Sequence, residues 1–387
     1  MNKRLALMTI TAAAFGAWAD TYSDITSDIL SNNPEISALE ARAAANSLGL
    51  SAENAPEGPE AEFEYLWGQN TPERKWSLSI SQSFDWPGVY SARARANRAE
   101  VTAYGYLLEA ERRDMTLKIR QTLLEYAYIH QARELISGQL ESLLRQQELV
   151  ELGYKHGLFT ALDRSKLKIE IARCTIEHER LTTDLEEAMV SLRVLNGGEA
   201  LGTVLPTSFP SDDLASLQTY IEAAHTSPAY LAADAGRHAA QARLSVARAM
   251  ALPGFGLGYV HEFEDGAKFN GLSVSLRLPS WGAGRRARAA KAEATVAAIE
   301  ARAVTNTVDV SINAEYARVM ALKNSAESLD AAIDRNYLEM LDQLANARQI
   351  GIMDYITEIN YLREASLSTL EARYRYLSAL MALNKNR

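Results

Sequence analysis

Residues 76–84 read WSLSISQSF, a stretch in which apolar side chains alternate with serine or glutamine. Residues 272–278 repeat the pattern as LSVSLRL, and residues 62–67 (EFEYLW) and 255–263 (FGLGYVHEF) alternate in a similar way. A period of two predicts β-strands with one apolar and one polar face. The sequence therefore predicts four strands, at about 60–69, 75–85, 254–263 and 271–279.

Two long stretches outside these strands contain no proline, residues 88–205 and 280–387, and both are rich in Ala, Leu, Glu and Arg. Because proline in a helix interior costs about 3 kcal/mol, such stretches are typical of long helices. The sequence predicts one helix over 91–152 and another over 283–350. At 1.5 Å per residue these helices are about 93 Å and about 100 Å long, which exceeds any compact domain.

Each long helix is followed by a short turn that contains glycine, at 153–159 and at 348–353. After each turn the apolar positions again recur at intervals of three or four residues, which predicts return helices at 162–195 and 355–383. Because the turns are short, each half of the chain is predicted to be an antiparallel helical hairpin.

The two halves look like copies of one unit. A shift of 194 residues places Pro34 on Pro228, and the same shift places Tyr65 on Tyr259 and Gly157 on Gly351. An internal duplication explains these matches. We expect a first repeat at 20–196, a second repeat at 214–387, and between them a linker at 197–213 that has loop composition.

The N-terminus has the features of an export signal. Lys3 and Arg4 precede a short apolar stretch that ends in Ala17-Trp18-Ala19, which predicts a cleavable secretory signal at 1–19. The alternative is an ordinary buried helix. The whole chain of 387 residues has a net charge of -9, which argues against a nucleic-acid partner, and its single cysteine, Cys174, excludes an internal disulfide.

The four strands fit either a soluble sandwich or a membrane barrel. Their polar faces suit a water-filled lumen, and the tryptophans near the strand ends suit an interfacial belt (Trp67, Trp76, Trp86 and Trp281). Four strands are too few to close, since barrels begin at eight, and open edges cannot lie in lipid. A membrane sheet would therefore require several copies of the chain. The outer loops would be short, at 68–74 and 264–270.

With this order of elements the chain resembles the TolC-type outer-membrane efflux factor family, from about residue 33 to residue 384. The matching segments are 33–42 (NPEISALEAR), 157–163 (GLFTALD) and 281–287 (WGAGRRA). The resemblance implies a mostly α protein with a β-barrel portion, in which a homotrimer shares one twelve-stranded barrel in outer-membrane lipid. It also implies a helical tunnel in the periplasm whose tip meets a periplasmic adaptor and an inner-membrane pump, so that the trimer is a passive exit duct.

The resemblance places the functional residues at the tip turns. Asp163 matches the family's tip acid, and Thr357 holds the equivalent place in the second turn. The residues that could form or support a gate are Asp163, Asp354, Glu358 and Arg348. The residues that could dock an adaptor are Gly157, Leu158, His156, Gly351 and Ile352.

Other sites are not predicted. The six histidines have no metal-ligand spacing, and no phosphate-binding glycine loop precedes a helix, so we expect no catalytic residue, cofactor or metal site. Basic residues that follow strands two and four could meet lipid phosphates or form a solvated helix face (Arg93, Arg95, Arg98, Arg285, Arg286, Arg288 and Lys291). Two other classes stay open at this point: an exported soluble coiled-coil adaptor or scaffold, and a secreted enzyme.

Overall fold

A computed structural model describes residues 15–69, 74–211, 213–333 and 336–387. The helices are α1 (Phe15–Asn32), α2 (Pro34–Glu53), α3 (Pro87–Lys155), α4 (Ala161–Leu195), α5 (Leu217–His225), α6 (Pro228–Ala249), α7 (Ala283–Ala332), α8 (Tyr337–Asn346) and α9 (Ile352–Asn384). The strands are β1 (Glu60–Trp67), β2 (Arg74–Phe84), β3 (Gly254–Glu264) and β4 (Ala267–Arg277). The mostly helical fold with four antiparallel strands is confirmed. The predicted signal at 1–19 lies outside the described residues, apart from its last five positions in α1.

The chain forms two compact units. The helical unit comprises the described residues up to Ser37, together with Glu111–Ala224 and Val310–Arg387. The sheet unit comprises Ala38–Ala110 and His225–Asp309. Helices α3 and α7 each contribute residues to both units. In the described part of the chain, no helix is both long enough and apolar enough to span a membrane.

The sheet unit is built on one antiparallel sheet with the strand order β1-β2-β3-β4. Its register places Ile80, Tyr259 and Leu272 in one row across the three strands β2, β3 and β4. The next row holds Ser81 opposite Gly258, which in turn pairs with Ser273. Because neighbouring rows point to opposite sides, the alternation in the sequence becomes one apolar face and one polar face.

The turn between β3 and β4 is tighter than the sequence suggested. Asp265 and Gly266 are its two central residues, with φ values of 44° and 88°, and β4 begins immediately at Ala267. Positive φ at both positions is typical of a type I′ turn, for which Asp-Gly is a preferred sequence. The expected outer loop at 264–270 and the strand start near 271 were therefore wrong.

Small residues allow the helices of the sheet unit to approach one another. The buried alanines of α3 and α6 are Ala92, Ala96, Ala103, Ala232 and Ala239. The two helices are also joined by an ion pair, since Arg243 Nε donates to Glu100 Oε1 at 2.5 Å. Glu100 is buried, so its charge needs this partner.

In the helical unit, α3 and α4 form the predicted hairpin. Their buried apolar residues recur at helical spacing, among them Ile119, Leu123, Ile136 and Leu143 of α3 and Leu167, Leu181, Leu185 and Leu192 of α4. Leu124 of α3 also packs with Leu377 and Met381 of α9 in one core cluster. The return helices thus bury their apolar stripes against the long helix.

The NPEI stretch at residues 33–36 is a helix start. Asn33 Oδ1 accepts hydrogen bonds from the backbone N–H groups of Glu35, at 2.9 Å, and Ile36, at 3.1 Å, while Pro34 is the first residue of α2. Asparagine before a proline at the first helical position is a favoured start. Asn33 Nδ2 also donates to the carbonyl of Leu195 at 2.8 Å, which fastens this start to the end of α4.

The second long helix is interrupted. The sequence predicted one helix over 283–350, but α7 ends at Ala332, and α8 begins at Tyr337 and ends at Asn346. Asn336 occupies the N-cap position of α8, with φ -96° and ψ 4°. Asparagine competes with the helix backbone through its side chain, so it favours helix starts over helix interiors. The absence of proline did not suffice to predict an unbroken helix.

Candidate functional sites at the hairpin turns and on the sheet

The first hairpin turn ends α3 with a Schellman motif. The N–H of Leu158 donates to the carbonyl of Gly153 at 2.8 Å, and the N–H of Gly157 donates to that of Tyr154 at 3.1 Å. Gly157 has φ +70°. A Cβ added there would meet no atom within 4 Å. The turn therefore needs glycine for its backbone conformation and not for space.

Asp163 caps the helix that follows. Its Oδ2 accepts from the Thr160 N–H at 2.9 Å and from Thr160 Oγ1 at 2.7 Å, and the Asp163 N–H donates to Thr160 Oγ1 at 3.1 Å. These reciprocal bonds form a capping box. The bonds from the Thr160 side chain and backbone hold the pKa of the Asp163 carboxyl below its usual value. The predicted gate acid is thus half-buried and held in place by the start of α4.

The second hairpin turn repeats this geometry with other residues. The N–H of Gln349 donates to the carbonyl of Leu344 at 2.9 Å, and the N–H of Arg348 donates to that of Ala345 at 3.0 Å. This is again a Schellman motif, but its left-handed position is held by Arg348, with φ +55°. Gly351 is the N-cap of α9 in an ordinary extended conformation, with φ -74° and ψ 155°.

The structure therefore corrects the alignment of the two turns. The sequence paired Gly157 with Gly351, and it placed Thr357 opposite Asp163. By position in the motif the pairs are Gly157 with Arg348, Thr160 with Gly351, and Asp163 with Asp354, a shift of 191 residues in each case. The sequence comparison paired Gly157 with Gly351 because glycine is the commonest residue at a left-handed helix end. The counterpart of Asp163 is Asp354, and it is exposed in the first turn of α9.

The other predicted tip residues divide by exposure. His156, Gly157 and Leu158 are exposed, and Leu158 has 57% of its surface accessible. Ile352 is buried, with 7% accessible, so its side chain packs within the protein and not on the docking surface. Glu358 is half-buried and accepts a 2.5 Å hydrogen bond from Tyr337 Oη, which raises the pKa of Tyr337. Glu358 thus joins α9 to the start of α8 within one chain.

The sheet exposes its apolar face. On this face, β4 and the segment after it expose Leu272, Val274, Leu276, Leu278 and Trp281. On β2 and β3, Trp76 stacks on Phe263 with ring centroids 6.0 Å apart. The 11 residues of β2 extend about 34 Å, which at a tilt near 40° gives a height of about 26 Å, close to the apolar band of a membrane barrel.

An ion network lies at the end of the sheet where β2 and β4 end and β1 and β3 begin. Arg277 at the end of β4 donates from Nη1 to both carboxylate oxygens of Glu57 at 3.0 Å, and its Nη2 lies 3.4 Å from Asp85 Oδ1. Arg93 of α3 lies 2.9 Å from the other oxygen of Asp85. The network ties the segments before β1 and after β2 to the end of β4. It fixes where the sheet stops and the helices begin.

Comparison with known proteins agrees with this arrangement. Residues 25–198 match the sequence profile of the outer membrane efflux proteins. A search of curated proteins finds no match.

Solved structures match the fold of this chain over nearly its whole length. The Campylobacter jejuni CmeC outer membrane channel is 16% identical, with a TM-score of 0.73 over 94% of this chain and 85% of that one. The outer membrane protein VceC of Vibrio cholerae is 16% identical, with a TM-score of 0.71 over 97% of each chain. The open state of the Neisseria gonorrhoeae MtrE outer membrane channel is 15% identical, with a TM-score of 0.71 over 94% of this chain and 88% of that one. At these identities the likeness concerns the fold.

The helices of the helical unit are held together by a carboxylate that the sequence did not single out. Asp342 of α8 accepts hydrogen bonds at 2.9 Å from Ser142 Oγ and from an Nη of Arg145, both on α3, and at 2.8 Å from Tyr355 Oη of α9. Tyr355 is fully buried, and burial is the main cause that raises its pKa. One side chain thus connects three helices. Its two partners on α3 lie about 200 residues away in the sequence, so no local pattern could reveal them.

A second polar contact joins the return helices. Glu170 of α4 is 3% exposed, and its Oε1 accepts from Arg363 of α9 at 2.8 Å. The neighbouring Cys174 is buried, which raises the pKa of its thiol. In the described part of the chain, no group of three His, Cys, Asp or Glu residues is arranged to hold a metal ion.

Proposed function

We propose that this chain is one protomer of a passive outer-membrane exit duct. Three copies would each contribute four strands to a twelve-stranded barrel in outer-membrane lipid. The helices would form a tunnel in the periplasm, where a periplasmic adaptor and an inner-membrane pump deliver the cargo. No residue would carry out catalysis, because the work is done by the pump.

The observation that carries this proposal is the sheet with its two open edges. β1 and β4 each pair with a neighbour on one side only, and the apolar face between them is exposed. Val274, for example, has 79% of its surface accessible. Unpaired backbone groups are too costly in hydrocarbon for such a sheet to cross a membrane alone. Pairing β4 of one copy with β1 of the next satisfies both edges, and three copies give the twelve strands that the family resemblance implies.

The tip turns support the docking part of the proposal. His156, Gly157 and Leu158 lie on the surface of the first turn, and Arg348 and Asp354 lie on that of the second. An adaptor would meet these exposed residues. Repeated three times, Asp163 and Asp354 would form carboxylate rings, which favour cations at a constriction. The Asp342 contacts would hold α8 and α9 against α3 while the duct is closed.

The experiment that tests the duct is cysteine cross-linking between edge strands in native membranes. Cys174 is first replaced by serine. Single cysteines are then paired between β1 and β4, with Phe63 on β1 scanned against Leu272 and Val274 on β4. Within one chain these strands are separated by two others, about 14 Å, which is too far for a disulfide. A disulfide can therefore form only between copies.

The expected result is a covalent ladder that ends at three chains, recovered in the outer-membrane fraction. A matched control pairs cysteines at Ile80 of β2 and Leu272 of β4, which have β3 between them and should not cross-link in any copy. Recovery of the protein as a soluble monomer without cross-links would overturn the duct and favour an exported adaptor or scaffold.

A further inference from the structure

The first turns of α7 carry an unusual concentration of positive charge. Residues 283–292 read AGRRARAAKA, with four basic residues and no acidic one, in a chain whose net charge is -9. Arg285, Arg286, Arg288 and Lys291 are all exposed. Arg285 and Arg288 are three residues apart, so they share one face of the helix. The segment is a compact cationic surface, which we call the α7 collar (Arg285, Arg286, Arg288 and Lys291).

The collar differs from the two arginines of the ion network at the sheet end. Arg277 is paired with Glu57 and Asp85, and Arg93 is paired with Asp85. Among the residues that the structure describes, Arg285, Arg288 and Lys291 make no ion pair with a carboxylate. Arg286 is oriented by a hydrogen bond from its Nη2 to Ser280 Oγ, next to the end of the sheet. The two arginines of the ion network are thus neutralised by carboxylates, whereas the collar offers its positive charges to a ligand.

The collar continues the exposed apolar face of β4. That face ends in Leu276, Leu278 and the fully exposed Trp281, two residues before α7 begins. Tryptophan favours the boundary between hydrocarbon and headgroups. Arg285 to Arg288 lie about 3–8 Å past the start of α7, at 1.5 Å per residue, and the headgroup layer beside the hydrocarbon is about 5–8 Å thick. The arginines therefore fall at headgroup depth if β4 spans lipid.

We propose that the α7 collar binds the phosphate groups of anionic phospholipids in the periplasmic leaflet of the outer membrane. The inference rests on the proposed duct, because it requires β4 to face lipid. Arginine suits this role, since its guanidinium binds phosphate oxygens through two parallel hydrogen bonds. The collar fixes the depth of the barrel in the bilayer and selects anionic lipid around Trp281.

The test uses the full-length protein in vesicles, with Trp281 as the reporter. Trp18, Trp67, Trp76 and Trp86 are replaced by phenylalanine, so that Trp281 is the one tryptophan left. The vesicles mix phosphatidylglycerol with phosphatidylcholine, and one of the two carries brominated chains that quench tryptophan fluorescence. Each cation near an anionic surface strengthens binding about fivefold at low salt, so three arginines should enrich phosphatidylglycerol strongly. The triple variant Arg285→Gln, Arg286→Gln, Arg288→Gln should lower that enrichment at least tenfold.

A matched control removes three positive charges from the same helix farther from the sheet, by Arg302→Gln, Arg318→Gln and Lys323→Gln. It should leave the enrichment unchanged. If both brominated lipids quenched the protein with the unmodified collar equally, the proposal of phospholipid binding would be wrong, but the proposed duct would be unaffected. No quenching by either lipid would overturn the duct as well. Dissociation of the collar variant into monomers in lipid-free detergent would assign the arginines to contacts between copies and overturn the lipid proposal.

Discussion

The two hairpin turns share one backbone motif but differ in the residue that takes its left-handed position. Gly157 has φ +70° and Arg348 has φ +55°. A residue with a Cβ in this conformation is strained by roughly 1–2 kcal/mol, whereas glycine is not. At Gly157 an added Cβ would meet nothing within 4 Å, so strain is the main cost of Gly157→Ala. Alanine also restricts the unfolded chain, which offsets part of this cost, and a net loss of about 1 kcal/mol remains.

The reverse change at the second turn should stabilise it. Arg348→Gly removes the strain but gives the unfolded chain more freedom, so we expect a gain of about 0.5–1 kcal/mol. Hydrogen exchange of the intact protein measures both effects locally, in peptides that cover 153–160 and 344–351. A change of about 1 kcal/mol corresponds to roughly fivefold in rate. Exchange at the Leu158 amide should quicken in Gly157→Ala, and exchange at the Gln349 amide should slow in Arg348→Gly.

The matched control is Gly138→Ala in the interior of α3. An added Cβ there also meets nothing within 4 Å, but the backbone is helical. Alanine is favoured over glycine in a helix by about 1 kcal/mol, so the same substitution should slow exchange at this position. If Gly157→Ala slowed exchange too, or left it unchanged, the left-handed turn would not be what requires glycine.

Three further outcomes follow from the contacts. The hydrogen bonds to Asp163 depress its pKa, so its contribution to the start of α4 should be full above the unfolded value, about 3.9, and should be lost as the pH falls through the folded value. Exchange in the first turn of α4, corrected for intrinsic rate, should therefore rise below about pH 4, and Asp163→Asn should abolish this rise. Val274→Arg should cost about 2–4 kcal/mol on a lipid-facing strand and reduce the oligomer in the outer-membrane fraction, whereas Ser275→Leu on the other face should change it less. Arg363→Leu should destabilise the protein by about 3 kcal/mol because it leaves the buried Glu170 with only a longer contact, 3.9 Å, to the exposed Arg173, and a double-mutant cycle with Glu170→Leu should recover most of that loss.

The strands could be predicted from the sequence because their signal is local. In residues 76–84 the alternation can be recognised without knowing the partner strand, and it correctly places Ile80 and Ser81 on opposite faces. The signal for the β3–β4 turn is also local, in Asp265-Gly266. It was missed because β4 was predicted to begin near residue 271 and not at Ala267. Patterns of this kind depend on neighbours two residues apart, so they need no tertiary information.

The contacts that hold the hairpins depend on distant partners. Asp342 is an ordinary acidic residue in the sequence, and only folding brings Ser142 and Tyr355 to it. The pairing of Glu170 with Arg363 is equally remote, since a helical pattern marks Glu170 as facing the core but does not name its counter-charge. The break lies before Tyr337, where Asn336 takes the N-cap position without a side-chain cap hydrogen bond, and helix interiors also tolerate asparagine. Composition favours a helix there and cannot exclude an interruption.

Arg348 connects the strain at the second turn to the proposed function. Strained backbone persists where the surroundings compensate for it, and it is concentrated at functional sites. The residue is exposed, so packing does not explain why an arginine is kept where glycine would be more stable. If its charge acts at the tip, Arg348→Gly should stabilise the turn and still lower export of the cargo, and Arg348→Asn, which tolerates the left-handed conformation, should do the same. Arg348→Lys should keep both the strain and the export. Full export with Arg348→Gly would leave the strain without a function and remove Arg348 from the gate.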